Sequence, residues 1–199
     1  MAGLFATIEG IDGSGKTTVA KRVASDLAAA KIPVVPTTEP THTWRGDAVK
    51  WAIDQEVDPL TEVFLFLADR EAHGRQIRAW IGEGKLVLSD RYSDSTYAYQ
   101  GARLAGTKDD PVAWLRDLSA PFVPIPHVTY LLAVPPEVAL ARIRGRAKRV
   151  RFEEASFLAA VDTNYRHLAK ESRFVTLDAT RPLQAVAADI AADLKRRYH

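Results

Sequence analysis

The stretch Gly10-Ile11-Asp12-Gly13-Ser14-Gly15-Lys16-Thr17 satisfies the spacing G-x-x-x-x-G-K-[ST] in full. Glycines at these points let successive backbone N–H groups turn inward around phosphate oxygens. Lys16 is then positioned to reach the β- and γ-phosphates, and Thr17 to ligate Mg²⁺. With glycine near ~7% of ordinary composition, a chance match somewhere in such a chain is on the order of one in a hundred. The loop implies nucleoside triphosphate binding but not what receives the phosphoryl group, since switch proteins, motors and small-molecule kinases share it. A second cluster of chemistry lies in Leu86-Val87-Leu88-Ser89-Asp90-Arg91-Tyr92, an apolar run ending in Asp-Arg. Asp90 is a candidate for the Mg²⁺ shell beside Thr17, and Arg91 for a bidentate phosphate clamp. A surface ion pair at a strand end accounts for the same dipeptide equally well.

These groups can cooperate only if regular elements deliver them to one edge. Apolar runs alternate with helical patterns, the rhythm of a parallel α/β sheet. Strands are expected at Leu4–Glu9, Val34–Thr38, Lys85–Asp90, Val128–Val134 and Arg173–Leu177. They are short and almost continuously apolar, as strands buried on both faces should be. Helices are expected at Thr17–Ala30, from Pro59 (with Asp58 as N-cap) to near Gly82–Gly84, and at Val112–Leu118, Pro136–Arg142, Glu153–Lys170 and Leu183–Arg197. The segment Thr37–Ala48 and the stretch around 102–110 read as loops. In such sheets ligands bind at the carboxyl ends of the strands, which brings Asp90 and Arg91 toward the phosphate loop.

The chain has 199 residues, 47% of them apolar and 26% charged. That suits one soluble domain with a full core. The absence of cysteine excludes a disulfide framework, a catalytic thiol and a cysteine-based zinc site. No apolar run approaches ~18 residues, so no transmembrane helix is expected. No secretory signal is visible and Ala2 stands where myristoylation needs glycine, so a cytoplasmic protein is expected. The net charge of +2 argues against binding nucleic acid through sheer basicity. It hides a local fact: residues 142–151, RIRGRAKRVR, hold six bases and no acid, leaving 21 bases against 25 acids elsewhere.

Several separated motifs resemble the thymidylate kinase family, in that family's order. They are Ile8-Glu9-Gly10-Ile11-Asp12-Gly13-Ser14-Gly15-Lys16-Thr17-Thr18, Glu39-Pro40, Phe66-Leu67-Ala68-Asp69-Arg70, Asp90-Arg91-Tyr92, Ser95, Ala98-Tyr99-Gln100-Gly101, Pro135-Pro136-Glu137-Val138-Ala139-Leu140-Ala141-Arg142 and Asp178-Ala179-Thr180-Arg181-Pro182. The resemblance implies a P-loop kinase fold: one domain over residues 1–199, a five-stranded parallel sheet with helices on both faces, and an arginine-rich lid at about 142–152. It implies transfer of the γ-phosphoryl of ATP to dTMP with Mg²⁺, in line and without a covalent enzyme intermediate. It also implies a homodimer, with no nucleic-acid or membrane partner.

The resemblance assigns residues as follows. ATP is held by Gly10, Ile11, Asp12, Gly13, Ser14, Gly15, Lys16, Thr17 and Thr18, with Arg142 and Thr180 on the adenine side. The metal is held by Thr17 and Asp90. The dTMP site comprises Asp12, Glu39, Phe66, Arg70, Arg91, Ser95, Thr96, Tyr99 and Gln100. Phe66 and Arg70 are four apart, so both project from one helix face. There an aromatic ring can stack on a pyrimidine and a guanidinium can donate to a base carbonyl. From the helix alone, Phe66 in an apolar stripe and Arg70 in solvent fit as well. The bulk of Tyr99 near the sugar would disfavour a ribose 2′-OH.

Catalysis is assigned to Lys16, Asp12, Arg91 and the lid arginines Arg144, Arg146 and Arg151. Phosphoryl transfer relies on positioning and cations, and the loop between Gly10 and Lys16 has no arginine. By composition alone the basic stretch reads equally as a solvated face. Asp12 is an odd charge inside a phosphate loop. A phosphate monoester is largely deprotonated at neutral pH, so positioning suits Asp12 better than general-base work, with a helix-start cap as the plain alternative. The chain departs from the family's Arg-Glu-Pro-Gly-Gly-Thr with Thr38-Glu39-Pro40-Thr41-His42-Thr43, where Arg45 or Lys50 could restore charge. Ala133 replaces an aspartate near the end of the fourth strand. Another nucleoside-monophosphate kinase is the nearest alternative, and a non-catalytic nucleotide- or nucleic-acid-binding module the next.

Overall fold

The computed structural model describes residues 3–143 and 155–198. Arg144, Arg146 and Arg151, and the basic residues Lys148 and Arg149 between them, lie outside the described residues. The elements run β1 (Leu4–Glu9), α1 (Lys16–Ala29), β2 (Val34–Thr38), α2 (Trp44–Asp54), α3 (Pro59–Gly82), β3 (Leu86–Asp90), α4 (Ser93–Arg103), α5 (Pro111–Ser119), β4 (Val128–Ala133), α6 (Pro136–Ile143), α7 (Ala155–Leu168), β5 (Phe174–Asp178) and α8 (Leu183–Tyr198). The strands form one five-stranded sheet in the order β2-β3-β1-β4-β5, and every pairing is parallel.

This order explains the strand compositions. β1, β3 and β4 lie inside the sheet and are almost wholly buried; β2 and β5 are the edges and only half-buried. Pro36 interrupts β2, where an edge tolerates a missing N–H. Alternate residues of β1 serve opposite faces. Tyr130 of β4, in register with Ile8 of β1, donates its hydroxyl to Asp193 of α8. On the other face Phe5 packs with Ile77 of α3, and Glu9 bonds to Ser95 of α4 and Tyr165 of α7. Helices therefore cover both faces. Val19, Val23 and Leu27 of α1 are essentially fully buried, each contributing about 1.5–3 kcal/mol.

The caps follow the sequence. The Asp58 carboxylate accepts from Thr61 N at 2.9 Å with Pro59 opening α3, and Asp110 accepts from Ala113 N at 3.0 Å with Pro111 opening α5. Two helices depart from expectation. α2 begins at Trp44, inside the stretch read as a loop. Its first turn presses on that loop, since a Cβ on Gly46 would sit 2.0 Å from Thr41 O. α4 carries no apolar stripe; it is SDSTYAYQGAR, and Ser93 through Gly101 are all buried. Its polar side chains bond to partners distant in sequence: Asp94 to Arg173, Ser95 to Glu9, Thr96 to Arg70, Tyr97 to Ser119 and Gln100 to Glu62. Periodicity cannot detect a helix whose buried face is polar.

Candidate active site

The phosphate loop leaves β1 at Gly10 and enters α1 through Gly15, which has φ 95° and caps the helix. Asp12 is therefore not the helix cap. Gly13, at φ 86°, packs so close to α6 that a Cβ would lie 2.3 Å from Ala139 O. Ser14 and Lys16 are buried. Lys16 Nζ donates to Ile11 O at 2.8 Å and stands 3.9 Å from Asp12. Burial, and then the charge of Arg91, bring its pKa down to about 7.

β3 delivers Asp90 and Arg91 to the same edge. Thr17 Oγ1 donates to Asp90 Oδ2 at 2.6 Å, while Asp90 Oδ1 is buried without a hydrogen-bond partner. A hydroxyl and a carboxylate in contact, with a carboxylate oxygen to spare, fit a hard cation that takes its remaining ligands from phosphates and water. Arg91 does not pair with Asp90. Its guanidinium bonds the Asp12 carboxylate and, at 3.2 Å, Ser95 Oγ. The surface-pair reading of Asp90-Arg91 is thereby set aside. Burial works against the Arg91 charge, but Asp12 outweighs it and holds the pKa well above the ordinary value. The Arg91 backbone lies at φ 68°, a conformation costing a side-chain-bearing residue of order 1 kcal/mol. The Tyr99 ring lies beneath the guanidinium, 5.2 Å from centroid to Cζ.

α3 and α4 supply the next layer. Arg70 is fully buried, which removes the solvated reading. Its Nε donates to Glu39 Oε2 at 2.8 Å and its Nη2 to Thr96 Oγ1 at 2.8 Å, while Nη1 is buried with no partner. Phe66, one turn away, is half-buried. Gln100 Nε2 donates to Glu62 Oε1 at 2.9 Å, and its Oε1 is buried without a partner. Asp12, Glu39, Arg70, Arg91, Ser95, Thr96 and Tyr99 thus form a linked group around the carboxyl ends of β1 and β3, with Gln100 one turn beyond Thr96.

On the other side, Arg142 Nη2 donates to Ala179 O at 2.9 Å and Nη1 to Gly13 O at 3.4 Å. They border a cavity of about 270 Å³ whose walls include Gly15, Val19 and Arg181. Thr180 is not in that wall; its hydroxyl donates to Asp178 at 2.6 Å. A larger cleft of about 700 Å³ runs from Thr17 and Asp90 along β2 to α3. Arg45 lines it, whereas Lys50 lies over Asp47 at 3.0 Å. Thr41, at the position of a family glycine, is anchored to Asp69 through its N at 2.8 Å and its hydroxyl at 2.6 Å.

Four residues important to this geometry were given no role from sequence. Glu9 accepts from Tyr92 N at 2.7 Å and from Ser95 and Tyr165, tying the phosphate strand to α4 and α7. Burial, followed by the charge of Asp94, raises its pKa to about 7. His73 Nδ1 contacts Glu39 Oε1 at 2.8 Å. Asp94 is fully buried against Arg173, and Glu62 against Arg103. Only the presence of Glu9 in the first motif hinted at any of them.

A family model described as thymidylate kinase matches residues 8–190. A probable thymidylate kinase of Methanosarcina mazei is 43% identical over 190 residues, covering 94% of this chain and 92% of that protein. One from Methanoculleus marisnigri is 43% identical over 96% of this chain and 94% of its own. Another from Methanospirillum hungatei is 44% identical over 98% and 95%. With the phosphate loop and the Arg91–Arg70 cluster meeting at one sheet edge, and with these matches spanning most of its length, the chain belongs to the thymidylate kinase family.

Proposed function

We propose that this protein transfers the γ-phosphoryl group of ATP to dTMP, giving ADP and dTDP. The observation that carries the reading is the Arg91–Asp12 bond, which joins the donor loop to the acceptor cluster. It leaves the two nucleotides sharing one strand edge, as direct in-line transfer requires. Lys16 and the backbone of residues 10–18 bind the triphosphate, and the Arg142 cavity takes the adenine. Phe66 stacks on thymine, with Arg70 and Gln100 at its polar edge. Thr96, Ser95 and Glu39 hold these groups in place, and Tyr99 crowds the sugar. Arg91 orients the acceptor phosphate. Its oxygen is already largely deprotonated at neutral pH, so no general base is needed. Thr17 and Asp90 would hold Mg²⁺, which when bound neutralises charge on the transferring phosphates. Arg144, Arg146 and Arg151 supply further cations for the transition state.

The protein is read as a cytoplasmic homodimer. Among the described residues no helix is long and apolar enough to cross a membrane. Leu60 and Phe64, one turn apart on α3, are exposed, as is Trp51 of α2, apolar surface suited to a second copy. Coupled ADP release with dTMP, dUMP, UMP and dCMP tests the function. Preference for dTMP is expected. Equal rates with all four would refute the thymine pocket, and no ADP with dTMP would refute the kinase reading.

A further inference from the structure

We propose that Glu62 sets the pyrimidine specificity of the acceptor pocket by fixing which end of the Gln100 amide faces the base. The inference rests on the reading of Phe66, Arg70 and Gln100 as the base pocket. A primary amide is nearly symmetric in shape, so its orientation is decided by its partners. Glu62 is fully buried on α3, and its Oε2 accepts from Arg103 Nη1 at 2.5 Å. A carboxylate paired with a guanidinium is an acceptor only, so it takes the NH₂ end of Gln100, here at 2.9 Å. The carbonyl end is thereby turned away, buried and without a protein partner.

Arg70 presents the complementary group. Glu39, Thr96 and Tyr92 O occupy its Nε and Nη2, and Nη1 is left buried with no acceptor. Phe66 lies on α3 one turn from Glu62 and one turn from Arg70. Arg70 thus keeps one unpaired buried donor and Gln100 one unpaired buried acceptor, the two groups that the proposed pocket turns toward a base stacked on Phe66. Thymine and uracil carry O4, an acceptor, beside N3–H, a donor, and match both. Cytosine carries an exocyclic amine beside an unprotonated N3 and mismatches both. Buried groups left unpaired by the wrong ligand are what make rejection steep. The 5-methyl group is not read by this pair, so a uracil nucleotide is the internal control.

The experiment measures kcat/KM with dTMP, dUMP and dCMP. In the unaltered protein dTMP and dUMP should each exceed dCMP by about a hundredfold or more. Comparable use of dCMP and dUMP would overturn the proposal, whereas absence of turnover with dTMP would overturn the kinase reading itself. Glu62→Gln can donate as well as accept, so Gln100 becomes free to turn. The dTMP:dCMP ratio should then shrink by about tenfold or more, with dTMP:dUMP unchanged. An equal loss on all three substrates would show that Glu62 only supports the fold, and would overturn the proposal. Should Glu62→Gln fail to fold, Arg103→Met at a partly exposed position removes the cation that orients the carboxylate. The same narrowing is expected there, and an unchanged ratio counts against the proposal.

Discussion

Replacing Glu39 by alanine should damage the fold more than removing Glu39 and its partner together. Arg70 is fully buried, and among the described residues Glu39 is the one carboxylate its guanidinium touches, at 2.8 Å. The other Glu39 oxygen meets His73 at 2.8 Å. Stripping one partner from a buried ion pair strands a charge, which costs about 3–5 kcal/mol. A domain of this kind has a total stability of about 5–15 kcal/mol, so the loss is a large share of it. At roughly 2–4 °C per kcal/mol for this chain length, the melting midpoint should fall by about 6–20 °C. Urea titrations of the ligand-free protein, followed by far-UV circular dichroism, measure the change directly. The double variant Glu39→Leu with Arg70→Met has no stranded charge, so it should recover most of the stability while losing dTMP turnover. A loss below about 1 kcal/mol in Glu39→Ala, or a double variant no more stable than the single, would contradict the reasoning.

The remaining expectations concern charge. Glu9 is raised from 4.5 to about 7 by burial and then by Asp94, so its stabilising contribution is full below pH 4.5 and is lost as pH rises through about 7. Between those limits Glu9→Gln should gain roughly 3 kcal/mol on the wild type in urea titrations, and parallel pH profiles would exclude this. Lys16, lowered to about 7 by burial and Arg91, should regain its proton when phosphates arrive beside it. Calorimetry of ATP binding at pH 8, in buffers of differing ionisation enthalpy, should therefore report proton uptake, and zero uptake would contradict the low value.

The sheet was legible because its information is local and strong. Five apolar runs predicted five strands to within a residue at each end, since buried parallel strands need no partner to be recognisable. The caps Asp58-Pro59 and the phosphate loop were readable for the same reason. α4 was not, because its helix is stabilised by pairs such as Thr96–Arg70 and Asp94–Arg173, and no local pattern encodes a partner tens of residues away. The same limit hid Glu62 and His73, whose side chains matter through what they hold. α2 was obscured by its composition: Trp44 and Trp51 are exposed, and only Gly46, Val49 and Ala52 are buried. The resemblance assigns Arg142 and Thr180 to the adenine; Arg142 lines the cavity beside Gly13, whereas the wall there is completed by Arg181 rather than Thr180.

Asp12 joins these strands of argument. A carboxylate within a phosphate loop repels the ligand unless something offsets it. Here two cations do so, Arg91 in direct contact and Lys16 at 3.9 Å. Despite its burial, these cations hold the Asp12 carboxyl below its usual range, so it is charged at neutral pH. Without Asp12, Lys16 and Arg91 would confront each other unscreened, and the already depressed Lys16 would give up its charge more readily. With Asp12 and a protonated Lys16 the three groups carry a net single positive charge, which falls to zero as Lys16 loses its proton above about pH 7. That restraint has a kinetic meaning. A site with two uncompensated cations would grip ground-state and transition-state phosphates alike, which lowers KM without raising kcat. Tempering the resting field leaves additional binding for charge that arrives only with the transition state. In the proposed function such interactions fall to the arginines of residues 142–151, where the sequence holds six bases and no acid.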